Sequence, residues 1–439
     1  MRYTPNPPAV VAEMLQEIGM QSCEELFTDI PAPLKLQRSL NLPRGLSEIE
    51  LRREMESLAR KNTNLNEIPS FLGAGAYDHY IPAALEELVH RSEFYTAYTP
   101  YQAEISQGIL QAIFEYQTLI CRLTGMDVAN ASMYDGATAL AEACNLAAVS
   151  TRRAKVLVPD SLHPHYLEVL RTYALSGRME VEILPCKDGI LDAALMRDKL
   201  DKQTACLAVQ QPNFFGLLEE VSSLGEILHE NKSLLVVAVD PISLGILKPP
   251  GEYGADVVVG EGQALGNPLS FGGPYLGFFA TTAKLMRKMP GRIVGQTRDQ
   301  EDQRAFVLTL QAREQHIRRE KANSNICSNQ ALNALAATIY LCLVGAKGLR
   351  DIALRSHQLA VYASQQLESV GLEQKYQHPF FREFAVQTGD PAWANRALLE
   401  NGIIGGYELA DSLLLAFTEK RTREQVDRLV SILGGIKHG

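Results

Sequence analysis

The stretch LLVVAVDPISLGILKPPGEYGADVVVG, residues 234–260, predicts the fold of this chain of 439 residues. Two runs in it, LLVVAVD (234–240) and ADVVVG (255–260), are short, β-branched and almost continuously apolar. Such runs are typical of strands in a parallel sheet whose two faces are both covered by helices. Glycine and proline between the runs mark the ends of the strands.

The same pattern continues on both sides of this stretch. Four more strand-like runs are AKVLVPD (154–160), VEILP (181–185), TACLAVQQPN (204–213) and YLGFFAT (275–281). Helix-like segments such as HPHYLEVLRTYALSG and DAALMRDKL lie between several of them. Apolar strands that alternate with helices predict an α/β fold with a mainly parallel sheet.

The chain is expected to have three parts. Residues 1–65 look largely helical, and Ser47 with Glu50 predicts a capping box at the start of one helix. Residues 66–330 contain the strand-and-helix pattern of a large α/β domain. Residues 331–439 begin with a long apolar helix and contain one more apolar strand, which predicts a smaller C-terminal α/β domain.

Composition excludes several classes of protein. With 46% hydrophobic and 21% charged residues, the chain reads as an ordinary globular protein, and its net charge of −9 argues against a nucleic-acid partner. The N-terminus lacks an apolar signal core. A run of about 18 apolar residues would predict a membrane span, and the sequence contains none. Seven scattered cysteines without a CxxC pair favour a reduced, cytoplasmic setting over a disulfide framework.

One candidate binding feature is the loop that contains Asp135, Gly136 and Thr138, directly before the helical ALAEACNLAAV. A small-residue loop that opens a helix presents unpaired N–H groups and a positive dipole end, which suits a phosphate group. The alternative is a turn that merely caps the helix.

Two further candidates follow predicted strands. Asp240 ends the strand 234–240, where a carboxylate can keep a pyridinium nitrogen protonated; an ordinary turn before Pro241 is the alternative. His163 follows another strand and has the geometry either to stack on a planar cofactor or to begin a helix. His163 and His165 without further ligands at suitable spacing make a poor metal site, so we expect no metal.

The order of these features is informative. A phosphate-type loop, a histidine, an aspartate that ends a strand and then the strand 255–260 resemble fold-type-I pyridoxal-phosphate enzymes, in which a Schiff-base lysine follows that last strand. Here the segment reads GEGQALGNP (260–268), and no lysine occurs between Lys248 and Lys284. A dinucleotide site is the competing reading, but GAGAYD (73–78) lacks the third glycine and reads as a turn.

Six stretches together resemble subunit 1 of the glycine cleavage system P-protein family. They occur in the family's order along nearly the whole chain: FLGAGAYD (71–78), YTPYQAEISQG (98–108), LTGMDVANA (123–131), GQALGNPLSFGGPYLGF (262–278), REQHIRREKANSNICSNQA (313–331) and TEKRT (418–422). In this family the subunit corresponds to the N-terminal half of a longer single-chain enzyme. The length of the present chain fits the split form.

The resemblance implies a division of labour between two subunits. Pyridoxal 5'-phosphate is expected on a lysine of the partner, subunit 2, where glycine loses CO2 and its aminomethyl group passes to the lipoyl disulfide of the H-protein. Alignment with that partner puts Gln263 at the lysine position, and an amide cannot form the Schiff base. Asp135, Gly136, Thr138, His163 and Asp240 would then be a vestigial cofactor pocket, with relic, structural or non-covalent binding roles left open. An α2β2 assembly is expected.

Segment 98–108 is the best candidate for a direct contribution to the partner's active site. It is rich in polar side chains where a helix begins, unlike a core segment; the alternative is an interface loop. The candidate residues are Tyr98, Tyr101, Glu104, Ser106 and Gln107.

Segment 313–331 places Arg313, Arg318 and Arg319 beside a polar NSN triplet. Arginine suits a carboxylate, either that of glycine or one on an acidic carrier such as the lipoylated H-protein. An exposed helical face is the alternative. For the whole chain, two other functions stay open: a scaffold that never touches substrate, and a stand-alone pyridoxal-phosphate aminotransferase that uses a lysine elsewhere.

Overall fold

The computed structural model describes residues 6–95, 100–326 and 328–437. The chain divides into two compact units, Met1–Thr63 and Asn64–Gly439. The first unit contains helices α1 (Pro8–Glu17) and α2 (Glu48–Ala59), with short 3-10 turns between them. The predicted capping box at the start of α2 is confirmed, because the Ser47 N–H donates to the Glu50 carboxylate (2.8 Å) and the Glu50 N–H donates to Ser47 Oγ (3.4 Å).

The second unit contains the other helices and all the strands that the structure describes. Its helices are α3 (Ala83–Val89), α4 (Ser92–Tyr95), α5 (Gln107–Thr124), α6 (Gly136–Thr151), α7 (Pro164–Ala174), α8 (Ala193–Lys199), α9 (Leu224–Glu230), α10 (Gln315–Arg318), α11 (Ala331–Ser369), α12 (Pro391–Glu400) and α13 (Arg423–Lys437). Its strands are β1 (Val128–Ala129), β2 (Lys155–Pro159), β3 (Glu180–Leu184), β4 (Thr204–Gln211), β5 (Leu234–Val239), β6 (Val257–Glu261), β7 (Gly277–Thr281), β8 (Val294–Arg298), β9 (Arg304–Leu308), β10 (Glu383–Gln387), β11 (Tyr407–Glu408) and β12 (Ser412–Ala416).

The main sheet has seven strands in the order β1-β7-β6-β5-β4-β2-β3. The pairs from β6 to β3 are parallel, whereas β7 and β1 are antiparallel to their neighbours. The prediction of a mainly parallel sheet is therefore confirmed. The six strands predicted in this region correspond to β2 through β7.

Both faces of this sheet are buried, as the near-continuous apolar runs predicted. Along β5, Leu235 and Val237 belong to one hydrophobic cluster, which includes residues of α5 and α11. Val236 and Ala238 belong to a second cluster, which includes the alanine-rich helix α6 and part of α7. Alternation along a strand thus assigns successive residues to opposite layers of helices.

A smaller antiparallel sheet, β10-β12-β11, packs with α11, α12 and α13 in the C-terminal part of the unit. Strand β12 was predicted, but β10, β11 and the β8–β9 hairpin were not. The prediction that residues 331–439 are a separate smaller domain stays a prediction.

Helix α11 is, by length and composition, apolar enough to cross a membrane, and 44% of its most apolar stretch is buried inside the protein. Its backbone is broken at Gly345 (φ 61°, ψ −178°), which leaves 14 residues before the break. A membrane-spanning helix needs about 20 apolar residues. Tyr340 is fully buried in the main core, as in a core helix.

The sheet brings the candidate site residues to one edge. Because β2, β5 and β6 run parallel, the residues that follow them meet at the carboxyl edge of the sheet. His163 follows β2, Asp240 follows β5 and Gln263 follows β6. Helix α6 begins at the same edge, where its Gly136 N–H contacts the Glu261 side chain.

Candidate functional site

A small cavity of about 30 Å³ lies at this carboxyl edge. Its lining includes the predicted His163, Asp240 and Gln263, so the structure brings these three side chains together. The other lining residues are Gly75, Tyr77, Tyr166, Gln210, Ala238, Val239, Pro241, Glu261 and Ala264. Among the residues that the structure describes, no lysine lines this cavity.

The N-terminus of α6, predicted as a phosphate site, already binds two carboxylates of the chain itself. Asp135 caps the helix by accepting the Thr138 N–H (2.7 Å), and Glu261 accepts the Gly136 N–H (3.0 Å). The Tyr166 hydroxyl also lies against Gly136, where an added Cβ would come within 2.1 Å of it. Two of the N–H donors that would attract a phosphate are therefore already engaged by side-chain oxygens of this chain.

Glu261 was not among the predicted residues, although it ends β6. Its carboxylate also accepts the Gln263 N–H (3.0 Å) and the Leu276 N–H (2.9 Å). Burial raises the pKa of the Glu261 carboxyl to about 7, and the nearby Asp135 charge adds to this, against the opposing effect of the three N–H donors.

The His163 imidazole is fixed by the backbone. Its Nδ1 accepts the His165 N–H (3.1 Å), so Nε2 carries the proton that is donated to the Ala74 carbonyl (2.9 Å). The ring stacks on Tyr166 at 5.1 Å between centroids. Burial lowers the pKa of His163, which favours this neutral form.

Asp240 pairs with an arginine that the sequence did not predict as part of the site. Arg382, just before β10, places its Nη2 2.6 Å from Asp240 Oδ2, and its side chain is only 2% exposed. The guanidinium lies over the Tyr77 ring at 3.7 Å and also donates to His79 Nε2. The sequence signal for this residue is the charged pair Arg382–Glu383 inside the apolar run 380–386.

Gln263 is 3% exposed, and its amide binds neighbouring backbone. Its Oε1 accepts the Tyr77 N–H (2.9 Å), while its Nε2 donates to the Tyr77 carbonyl (3.2 Å) and the Asn267 carbonyl (2.8 Å). The residue at the aligned lysine position is thus a fully bonded structural amide.

Residues 100–108 of this segment lie elsewhere in the unit, beside the β8–β9 hairpin. Tyr101 donates to Asn329 Oδ1 (2.5 Å), and Gln107 both donates to and accepts from the Phe306 backbone. Ser106 is buried at the N-cap position of α5. Glu104 is exposed. The remaining candidate, Tyr98, lies outside the described residues.

The arginines of segment 313–331 divide into two kinds. Arg313 donates to the carbonyls of Met289 and Gly291, and burial lowers its pKa to about 10, with a further contribution from the Arg292 charge. Arg313 is therefore a structural residue that holds a loop. Arg318 and Arg319 are exposed.

Pyridoxal phosphate does not fit the cavity in this chain. The coenzyme would need a free phosphate cradle, a carboxylate available to its ring nitrogen and an amine. In this chain Glu261 occupies the helix N-terminus, Arg382 is paired with Asp240, and Gln263 stands at the lysine position. A volume of about 30 Å³ holds a water or two, and a small-molecule site usually has roughly 300 Å³ or more.

The sheet order and the placement of Asp240, His163 and the α6 N-terminus define the class of fold: that of the fold-type-I pyridoxal-phosphate enzymes. A solved sphingosine-1-phosphate lyase from Burkholderia pseudomallei shares it, with a TM-score of 0.69 and 15% identity, over 93% of this chain and 94% of that chain.

The chain belongs to the glycine cleavage system P-protein family, whose model matches residues 1–433. A similar relative is a probable glycine dehydrogenase (decarboxylating) subunit 1 from Syntrophomonas wolfei, 65% identical over 99% of both chains. Another, of the same name, is from Geobacillus thermodenitrificans, 53% identical over 99% of this chain and 98% of that protein. A crystal structure of glycine decarboxylase (P-protein) in inhibitor-bound form matches with a TM-score of 0.92 and 43% identity, over 99% of this chain and 100% of that chain.

The raised pKa of Glu261 predicts a pH-dependent stability. The folded state holds this proton up to about pH 7, and the unfolded state releases it near the ordinary value of 4.5, so the free energy of unfolding falls as pH rises through this window. Glu261→Gln should remove this loss. Relative to wild type it should gain on the order of 2 kcal/mol between about pH 5 and about pH 8.

Urea unfolding at several pH values measures this difference, and Glu115→Gln, at an exposed position on α5, is the control. Parallel stability curves for wild type and Glu261→Gln would contradict the assignment.

Proposed function

We propose that this chain is the lysine-less subunit of the glycine dehydrogenase (decarboxylating) of the glycine cleavage system. The observation that carries this proposal is Gln263, buried after β6 with its amide bonded to Tyr77 and Asn267. An amide nitrogen cannot form a Schiff base with the coenzyme. The P-protein family and the relatives named subunit 1 support the same assignment.

The reaction belongs to the assembled enzyme. Glycine loses CO2 on pyridoxal phosphate held by subunit 2, and the aminomethyl group passes to one sulfur of the lipoyl disulfide of the H-protein. The disulfide is reduced in this step, because its other sulfur ends as a thiol. We infer a cytoplasmic enzyme in which two copies of this chain and two of subunit 2 form an α2β2 assembly.

The N-terminal unit supports the need for a partner subunit. Of the 28 large hydrophobic side chains that are exposed among the described residues, 15 lie between Val10 and Leu58. On α2, Leu51, Met55 and Leu58 follow the i, i+4, i+7 spacing of one helix face, and each is about half exposed. An apolar stripe of this kind indicates an interaction surface. In our proposal the partner subunit covers it.

The stand-alone aminotransferase has less support, because no lysine lines the cavity at the strand ends within the described part of the chain. The scaffold hypothesis differs from our proposal in one respect: whether any residue of this chain acts in the partner's active site.

The assembled function predicts a strict requirement for both subunits. This chain alone should show no exchange of labelled bicarbonate with the glycine carboxyl group. Exchange should appear when the lysine-bearing subunit and H-protein are added. The measurement is the exchange rate with each subunit separately and with both. Exchange by this chain, purified free of its partner, would refute the proposal.

Glu104 is the residue of this chain with the best case for acting in the partner's site. It is exposed and precedes α5, which Leu110 and Ile113 anchor in a hydrophobic cluster. Gln107, bonded to Phe306, fixes the first turn of the helix. A polar group presented from a rigid helix start can be held to the accuracy that catalysis requires.

Glu104→Gln should therefore lower the exchange rate of the assembled enzyme by about 100-fold, the cost of a misplaced catalytic group, and Ser106→Ala should lower it less. Assembly, measured by co-purification of the two subunits, should be unchanged. Glu115→Gln, on the same helix, is the matched control. Full activity in both variants would favour the scaffold hypothesis.

A further inference from the structure

The loop of residues 71–80 contains neither helix nor strand, and its Gly75 and Tyr77 line the cavity. Its outer residues are tied to the C-terminal part of the unit. The Phe71 N–H donates to the Ile404 carbonyl (2.9 Å), and Asp78 forms ion pairs with Lys420 (2.6 Å) and Arg421 (3.0 Å). These contacts fix both ends of the loop.

The middle of the loop is held by side chains in and around the cavity. The Ala74 N–H donates to Glu383 (2.7 Å), and the Ala74 carbonyl accepts from His163 (2.9 Å). The Tyr77 backbone binds the Gln263 amide through both its N–H and its carbonyl. The Tyr77 hydroxyl donates to Glu383 (2.7 Å), and the Tyr77 ring lies under the guanidinium of Arg382.

Two glycines make this close approach possible. Gly75 has φ +101° and lies so near the imidazole that an added Cβ would come within 2.8 Å of His163 Nε2. At Gly73 a Cβ would come within 2.4 Å of the Glu383 carboxylate. Each of these side chains would therefore have to shift if the loop carried a larger residue.

We propose that residues 73–77 are a built-in plug that occupies the coenzyme pocket of this chain, and that His163, Asp240 and Gln263 hold it in place. His163 binds the plug through Ala74, Gln263 binds it through Tyr77, and Asp240 acts through Arg382, which covers the Tyr77 ring. The residues that resemble a cofactor site have thereby become the structural support of a loop. This inference does not depend on the glycine reaction.

The plug predicts slow amide exchange at two positions of a loop. In the assembled pair of subunits, the Ala74 and Tyr77 amides should exchange with deuterium far more slowly than those of an open loop, since both are donated to buried side chains. Added pyridoxal phosphate should leave this rate unchanged. Gln263→Ala should make exchange of residues 71–78 about ten-fold faster, because it removes both hydrogen bonds between the Gln263 amide and the Tyr77 backbone.

Gln358→Ala, at an exposed position on α11, is the matched control and should leave exchange of the loop unchanged. Wild-type Ala74 and Tyr77 amides that exchange as fast as those of an unstructured peptide would overturn the proposal without any variant.

Gln263→Lys gives a second, independent readout. It places an amine at the aligned position and removes the bond from the Tyr77 N–H. The contacts of the plug with Glu383, His163 and Arg382 remain. Borohydride reduction with excess pyridoxal phosphate should therefore leave Lys at this position unmodified when peptides of this chain are analysed by mass spectrometry. A pyridoxyl group at position 263 in most molecules would contradict the plug. If this variant fails to fold, the wild-type exchange rates still decide. Loss of glycine exchange activity has no bearing on either readout.

Discussion

An ion pair joins the end of β5, in the main sheet, to the start of β10, in the smaller sheet of the same unit. Asp240 follows β5, Arg382 precedes β10, and their charged atoms are 2.6 Å apart. Removing one partner of such a pair leaves an uncompensated buried charge, which typically costs about 3–5 kcal/mol. The Tyr77 ring, the Glu383 carboxylate and the His79 imidazole all pack around this pair, so its position fixes the loop between them.

The rest of the site follows from the same requirement that buried polar groups need partners. In a coenzyme enzyme the helix N-terminus, the strand-end carboxylate and the lysine amine each have a ligand to bind. In this chain Glu261, Arg382 and the loop backbone take those places. This chain therefore places its own side chains and backbone where a coenzyme would bind. We propose that the coenzyme chemistry takes place in the partner subunit and that this chain contributes assembly and Glu104.

The strands β2 through β7 could be predicted because continuous apolar runs between turn residues carry a local signal. The meeting of His163, Asp240 and Gln263 could also be predicted, because carboxyl ends of parallel strands lie at one edge. The contacts that fill the site could not be predicted from the sequence. Arg382 and Tyr77 reach it from segments distant in sequence, and their pairing depends on how the smaller sheet packs. The sequence of segment 73–78 correctly predicted a turn, but no neighbouring residue indicated that this turn fills a pocket.

The coenzyme content of the assembled enzyme decides whether this chain binds pyridoxal phosphate. Pyridoxal phosphate released by alkali from the co-purified pair, saturated with coenzyme beforehand, should amount to one molecule per two chains, because we propose that the coenzyme binds to subunit 2 and not to this chain. Two molecules per pair, with one of them bound to this chain, would contradict the account.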